Sequence, residues 1–215
     1  MLEKMDAFFE ARLDGYDAHM LTEIEGAAEF YPATAALLPE MAGAKVLDLG
    51  CGTGLELEFY FAKNPAACVT GIDLSAGMLR ALRDKFPDRE LALVRGSYFD
   101  VSLGSGYDAA VSVESLHHFT REEKTALYRK LHAALKDDGY FILTDYFAPD
   151  DAYEAFYFSE LRRLKREQGI ADREFYHYDT PLTVAHETAA LLDAGFSRVE
   201  ELGTWEATHI LKACK

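Results

Sequence analysis

Short apolar runs alternate with longer amphipathic segments along this chain. Lys45–Leu49 (KVLDL) is aliphatic, runs into glycines, and predicts a buried strand. Cys68–Ile72, Leu91–Val94, Ala109–Val113 and Tyr140–Thr144 share that character, as expected of a parallel sheet covered on both faces. Helical signals lie between them. Ser75 has cap chemistry and precedes Ala76–Phe86, which places Met78, Leu79 and Leu82 on one face. Thr120 with Glu123 forms a capping-box pattern that opens Arg121–Lys136. Asp150 to Gln168 is closed by Gly169, and Thr183–Asp193 by Ala194-Gly195. Phe196–Leu202 and Trp205–Ala213, joined at Gly203-Thr204, predict a terminal hairpin. The order predicts a doubly wound α/β sheet with an antiparallel element added at its end. Ligands are then expected beyond the C-terminal ends of the strands.

Composition narrows the classes. The chain has 215 residues, which suits a single domain. We divide it into a helical lead (1–43), a core (44–145), a cap (146–182) and a last helix with its hairpin (183–215). Lys and Arg number 22 against 37 Asp and Glu, a net charge of −15 that argues against nucleic acid as a partner. Arg162, Arg163, Lys165 and Arg166 form one basic cluster, which reads as the wet face of a helix. No apolar stretch approaches the roughly 18 residues of a membrane span. The opening MLEKMDAFFEARLDGYD is too charged for a signal peptide. Cys51, Cys68 and Cys214 follow no metal or disulfide spacing, so a reducing, cytoplasmic setting is expected, as monomer or homodimer.

The turn after the first predicted strand carries the chemistry. In Asp48-Leu49-Gly50-Cys51-Gly52-Thr53-Gly54, alternate glycines let the backbone approach a ligand before a helix begins. A dinucleotide turn needs GxGxxG, but Leu55 stands where its third glycine belongs, and no P-loop lysine follows. Asp48 would repel a pyrophosphate and suits a ligand carrying an ammonium group. Asp73, at the end of the next strand, has two acceptor oxygens that could take both hydroxyls of a ribose. The alternative is that Asp73 caps the following helix, a task for which Ser75 is better placed.

With these residues the chain resembles the class I S-adenosylmethionine-dependent methyltransferases. The runs VLDLGCGTG, GIDLS, YDAAVSVESLHHF and LKDDGYFILTD carry the likeness, from Lys45 to Asp145. It implies a Rossmann-like sheet of seven strands, the last antiparallel, with S-adenosyl-L-methionine lying across the strand tips. Asp48, Gly50, Cys51, Gly52, Thr53 and Gly54 would hold its methionine end, Asp73 its ribose, and Leu74, Ser75 and Met78 would flank its adenine. Gly96, Ser97 and Tyr98 form the third tip, where Ser97 stands in place of the family's usual acid. Val113 and Glu114 form the fourth. Tyr16 and Arg12 resemble a lead segment that closes over the cofactor. The layout is similar to the carboxy-S-adenosylmethionine synthases and their small-molecule methyltransferase relatives. Those synthases hold an extra carboxylate with an arginine before the last helix. Here that segment contains only Arg173, so ordinary methyl transfer to a small-molecule acceptor is expected.

Candidate catalytic groups follow the fourth strand: Glu114, His117 and His118. Either histidine could serve as a base, or one could pack beneath the cofactor while the other faces solvent. Glu114, His117 and His118 also read as E-x-x-H-H, but adjacent histidines diverge and no third ligand is evident, so no metal is expected. Aromatics concentrate after the fifth strand, where Tyr146, Phe156, Tyr157, Tyr176 and Tyr178 are expected to wall the acceptor pocket. A cofactor-binding protein without catalysis and an NAD(P)-dependent oxidoreductase are the competing classes.

Overall fold

The computed structural model describes residues 1–171 and 174–215, so Arg173 lies outside the described residues. The lead is three helices, α1 (Met5–Ala11), α2 (Tyr16–Glu23) and α3 (Ala27–Ala36). There follow β1 (Lys45–Leu49), α4 (Leu55–Lys63), β2 (Cys68–Asp73), α5 (Ala76–Lys85) and β3 (Glu90–Arg95). The second half is β4 (Tyr107–Val113), α6 (Arg121–Ala134), β5 (Leu135–Tyr146), α7 (Asp151–Gln168), α8 (Val184–Asp193), β6 (Arg198–Trp205) and β7 (Thr208–Cys214).

The seven strands lie in the order β3-β2-β1-β4-β5-β7-β6. β7 runs antiparallel to both its neighbours, while the pairs among β1 to β5 are parallel. The chain winds outward from β1 to β3 and resumes on the other side at β4, so the switch point falls between β1 and β4. Alternate residues enter opposite layers. Leu47, Ala110, Phe141 and Leu143 pack with Leu127, Leu131 and Leu191 of α6 and α8. Val46, Val111 and Ile142 pack with Phe30, Leu57 and Leu82 of α3, α4 and α5.

The caps are those the residues predict. Ser75 Oγ accepts from Met78 N, and Thr120 and Glu123 exchange hydrogen bonds in a full capping box. Two boundaries differ. α6 stops at Ala134, and β5 is longer than the run Tyr140–Thr144 because Leu135 already pairs with Tyr107. The terminal hairpin turns at Glu206-Ala207, not at Gly203-Thr204, which stay in β6 beside a register shift. Trp205 explains the shift: a Cβ on Gly203 would lie 2.7 Å from its ring, so glycine there makes room for the indole. The indole donates to Glu29 Oε2 at 2.8 Å, tying the hairpin to α3.

Candidate active site

The glycine turn follows β1, with Gly50 and Gly52 at φ 73° and 49°. A Cβ on Gly50 would fall 2.1 Å from Ser115 Oγ, so the β1 and β4 tips can approach only at glycine. Asp73 braces this turn from the second strand. Its Oδ2 accepts from Gly52 N at 2.9 Å and its Oδ1 from Ser75 N at 2.8 Å. Ser75, not Asp73, caps α5.

Asp48 and Glu56 are both buried beneath the turn, and Asp48 Oδ2 and Glu56 Oε1 receive no hydrogen bond from the described residues. Burial pushes both carboxyls up, and the charge of Glu56 pushes Asp48 further. Two neighbouring buried acids, each with one oxygen that receives no hydrogen bond from the described residues, favour a shared proton or a nearby cation. Glu56 carries no sequence signal beyond being an acid in the apolar run that opens α4.

The lead covers the first two strand tips. Asp17 accepts from Thr53 Oγ1 and pairs with Lys85 at 2.6 Å. Glu10 Oε2 accepts from Ser75 Oγ at 2.6 Å and Gly77 N at 2.9 Å, at the positive end of α5. The Tyr16 ring lies 4.0 Å from where a Gly52 Cβ would be. The lead is also stitched to the segment after α7, where His177 N donates to Glu3 O and the Phe8 and His177 rings stack 3.5 Å apart.

Beyond the fourth tip opens a cavity of about 800 Å³, lined among others by Tyr16, Glu114, His117, His118, Tyr146, His177, Asp179 and Trp205. Glu114 takes a positive φ of 49°, with its side chain 10% exposed. Its Oε1 accepts from Thr208 Oγ1 at 3.0 Å. His117 is held from behind by Asp145, whose Oδ1 lies 2.5 Å from Nδ1. Asp145 is fixed in turn by the backbone N–H groups of Leu116 and Tyr146. Asp179 Oδ1 lies 3.6 Å from His117 Nε2 and 3.3 Å from His118 Nδ1.

These neighbours set the charges. Burial pulls His117 down, but Asp145, Asp179 and Glu114 override it and raise the imidazole to about 9. These acids favour the protonated form of the His117 ring. Burial and the His117 charge lower His118, and burial lowers His177 to about 4, so both are neutral. Burial raises Glu114 to about 7, against the pull of His117. Glu114 thus faces the cavity with a carboxyl raised toward neutrality.

The cofactor-binding candidates of the second and third strand tips, with Val113, lie outside this cavity. Met78 and Tyr98 are buried in the core, Tyr98 packing on Phe99 and Phe119 with its hydroxyl 3.3 Å from Ser115. Ser97 Oγ accepts from Phe99 N. Gly96, Leu74 and Val113 stand at strand tips outside the cavity lining. Of the five cap aromatics, only Tyr146 lines the cavity. Phe156 is 56% exposed, Tyr157 bonds Tyr153, Tyr176 bonds Glu174, and Tyr178 lines a smaller surface pocket. α7 buries no residue fully; its Tyr153 and Tyr157 rings stack on each other, and Tyr153 reaches the cavity only through its hydroxyl contact with Tyr146. The cavity wall comes instead from α1, α2 and the terminal hairpin. The structure also supplies the third group beside the histidine pair that the spacing did not show: His117, His118 and Asp179 present ligand atoms within 4.8 Å of one another. Asp145 could be found as the acid closing the fifth apolar run. Asp179, sixty-odd residues from its partners, has no local signal.

A doubly wound sheet with this turn and this last antiparallel strand defines a class, and the comparisons give its family. Residues 46–139 match the family described as Methyltransferase domain. The chain is 31% identical to the carboxy-S-adenosyl-L-methionine synthase of Wolinella succinogenes over 236 residues, covering 98% of this chain and 91% of that protein. It is 31% identical over 94 residues to the malonyl-[acyl-carrier protein] O-methyltransferase of Priestia megaterium, covering 44% of this chain and spanning 34% of that relative's length. Among solved structures, the DhpI–SAM–HEP complex matches with a TM-score of 0.70 at 19% identity, over 97% of this chain and 94% of that one, a likeness of fold. The chain belongs to the class I S-adenosylmethionine-dependent methyltransferases.

Proposed function

We propose that the protein transfers the methyl group of S-adenosyl-L-methionine to a small-molecule acceptor held in the cavity beside the fourth strand tip. The observation that carries this reading is the glycine turn over two buried carboxyls, each with one oxygen that receives no hydrogen bond from the described residues. S-adenosylmethionine brings an ammonium group and a sulfonium, the cationic chemistry such a pair accommodates. Asp48 and the backbone of Gly50 to Gly54 would hold the methionine end. Asp73, with one lone pair left on each oxygen, would accept from the ribose hydroxyls, and Leu74 and Ser97 would border the adenine. When bound, S-adenosylmethionine supplies an electrophilic methyl carbon. The chain's residues orient the acceptor against it, exclude water and take the acceptor's proton, the last a role for Glu114.

Charge speaks for methyl transfer over handling a carboxylated cofactor. Among the described residues Arg12 is the one Lys or Arg lining the cavity, and its guanidinium is already paired with Glu3 at 3.1 Å and stacked on Phe8. Calorimetry with S-adenosylhomocysteine and with NAD⁺ tests the reading. S-adenosylhomocysteine is expected to bind and NAD⁺ not to; NAD⁺ binding without a response to S-adenosylhomocysteine would refute it.

A further inference from the structure

We propose that the acceptor is a cationic amine, methylated on nitrogen, an inference that rests on the methyl-transfer reading above. The cavity is built for positive charge at both ends. Its floor carries Glu114 and Asp179, and its rim carries Asp14, Glu23, Glu25 and Glu206. Between them stand the rings of Phe9, Tyr16, Tyr146 and Trp205, surfaces that attract an ammonium through their π faces. Glu114 adds an observation independent of the acid count. Its side chain is nine-tenths buried, and its Oε2, 3.9 Å from His117 Nδ1, makes no hydrogen bond with the described residues. Three acidic side chains, Glu114, Asp145 and Asp179, stand 3.9, 2.5 and 3.6 Å from the nitrogens of the His117 ring, so acids outnumber that one ring at the floor and leave room for a cationic ligand. A carboxylate or phosphate acceptor would meet those acids with no free Arg or Lys among the described lining residues.

The chemistry balances with groups already named. The ammonium passes one proton to the Glu114 carboxylate. The freed nitrogen lone pair then forms the N–C bond to the methyl carbon as the S–C bond breaks, its electron pair returning to sulfur to leave a neutral thioether.

Tyramine, which offers both an amine and a phenol, is the probe, with 4-hydroxyphenylacetate as its anionic counterpart and 4-ethylphenol as the neutral one. S-adenosylhomocysteine binding is measured first, and its absence refutes the methyl-transfer reading itself. With S-adenosylhomocysteine bound, tyramine is expected to bind at least about 10-fold more tightly than either counterpart, a difference of about 1.4 kcal/mol. With S-adenosylmethionine the product is expected to be N-methyltyramine. Glu25→Gln/Glu206→Gln at the rim is expected to raise the KM for tyramine several-fold while leaving kcat and S-adenosylhomocysteine affinity unchanged. A panel in which the amine binds no better than its counterparts, or a product methylated on oxygen, overturns the inference and leaves methyl transfer standing. Stoichiometric Zn²⁺ or Mn²⁺ binding lost in His118→Ala, with turnover abolished by EDTA, would likewise overturn it, because the cation at the floor would then be a metal.

Discussion

His117 is surrounded by acids, and Asp145 is the one that holds it. In Asp145→Asn the hydrogen bond to Nδ1 survives but the charge does not, so burial should dominate. NMR titration is expected to show the His117 imidazole falling from about 9 to below its ordinary 6.5. A value unchanged near 9 would mean that Asp179 and Glu114 hold the proton instead. The same residues set a pH dependence. Glu114 is raised to about 7 from 4.5 and His117 to about 9 from 6.5, so the folded state binds more protons than the unfolded chain between these values. Their stabilisation is full below the unfolded values and is lost as pH rises through about 7 and then about 9. Thermal melts of the ligand-free protein are expected to show stability falling as pH rises from 6 to 9, and Glu114→Gln should flatten the lower part of that fall. The residue scale also shows what the sequence could tell. Glu114 and His117 were legible because they follow a strand directly. Asp179 was not, since only the path of the segment after α7 brings it to them.

At the scale of elements, strands and caps were readable because they rest on local chemistry: aliphatic runs, Ser75, Thr120 with Glu123, Gly169. The hairpin turn was misplaced because Gly203 and Thr204 look like turn residues, and the indole that occupies the space over Gly203 is a tertiary fact. Of the expected cap aromatics only Tyr146 lines the cavity, since aromatic content does not say which way a helix faces. α6 and α8 are joined by a buried cluster in which Lys124 pairs with Glu187 at 2.5 Å and Tyr128 also donates to Glu187. Lys124→Met leaves that carboxylate buried without its cation, and denaturant melts are expected to show a loss of about 3–5 kcal/mol. A loss under 1 kcal/mol would show the pair to be well hydrated. The lead is held by Glu10 and Asp17 through side-chain bonds to Ser75, Thr53 and Lys85 and the Gly77 amide. Glu10→Ala/Asp17→Ala is expected to speed proteolysis within residues 1–24 at least about 5-fold while changing the melting of the core little. Unchanged cleavage would mean that the contacts with Phe175 and His177 anchor the lead by themselves.

For the whole molecule, a net charge of −15 opposes contact with polyanions, and no described helix is long and apolar enough to cross a membrane. The fold places five parallel strand tips on one edge and covers the first two with the lead, so the glycine turn and the cavity share a wall at Tyr16. Asp73 stands where the account is most exposed. It braces Gly52 and Ser75, so Asp73→Ala would free two backbone donors and cost stability whatever the ligand. Asp73→Asn keeps the shape and one acceptor oxygen but sets its amide nitrogen against one of those two backbone donors, so it costs less stability than Ala without being neutral. The direct measurement is therefore the affinity of S-adenosylhomocysteine for the natural protein and for Asp73→Asn, with melting temperatures of both. Binding to the natural protein, weakened by roughly 10–150-fold in Asp73→Asn, is the predicted result, the loss of about one charge-assisted hydrogen bond. Equal affinity in the two proteins would contradict the ribose assignment, and no binding to the natural protein would contradict the account as a whole.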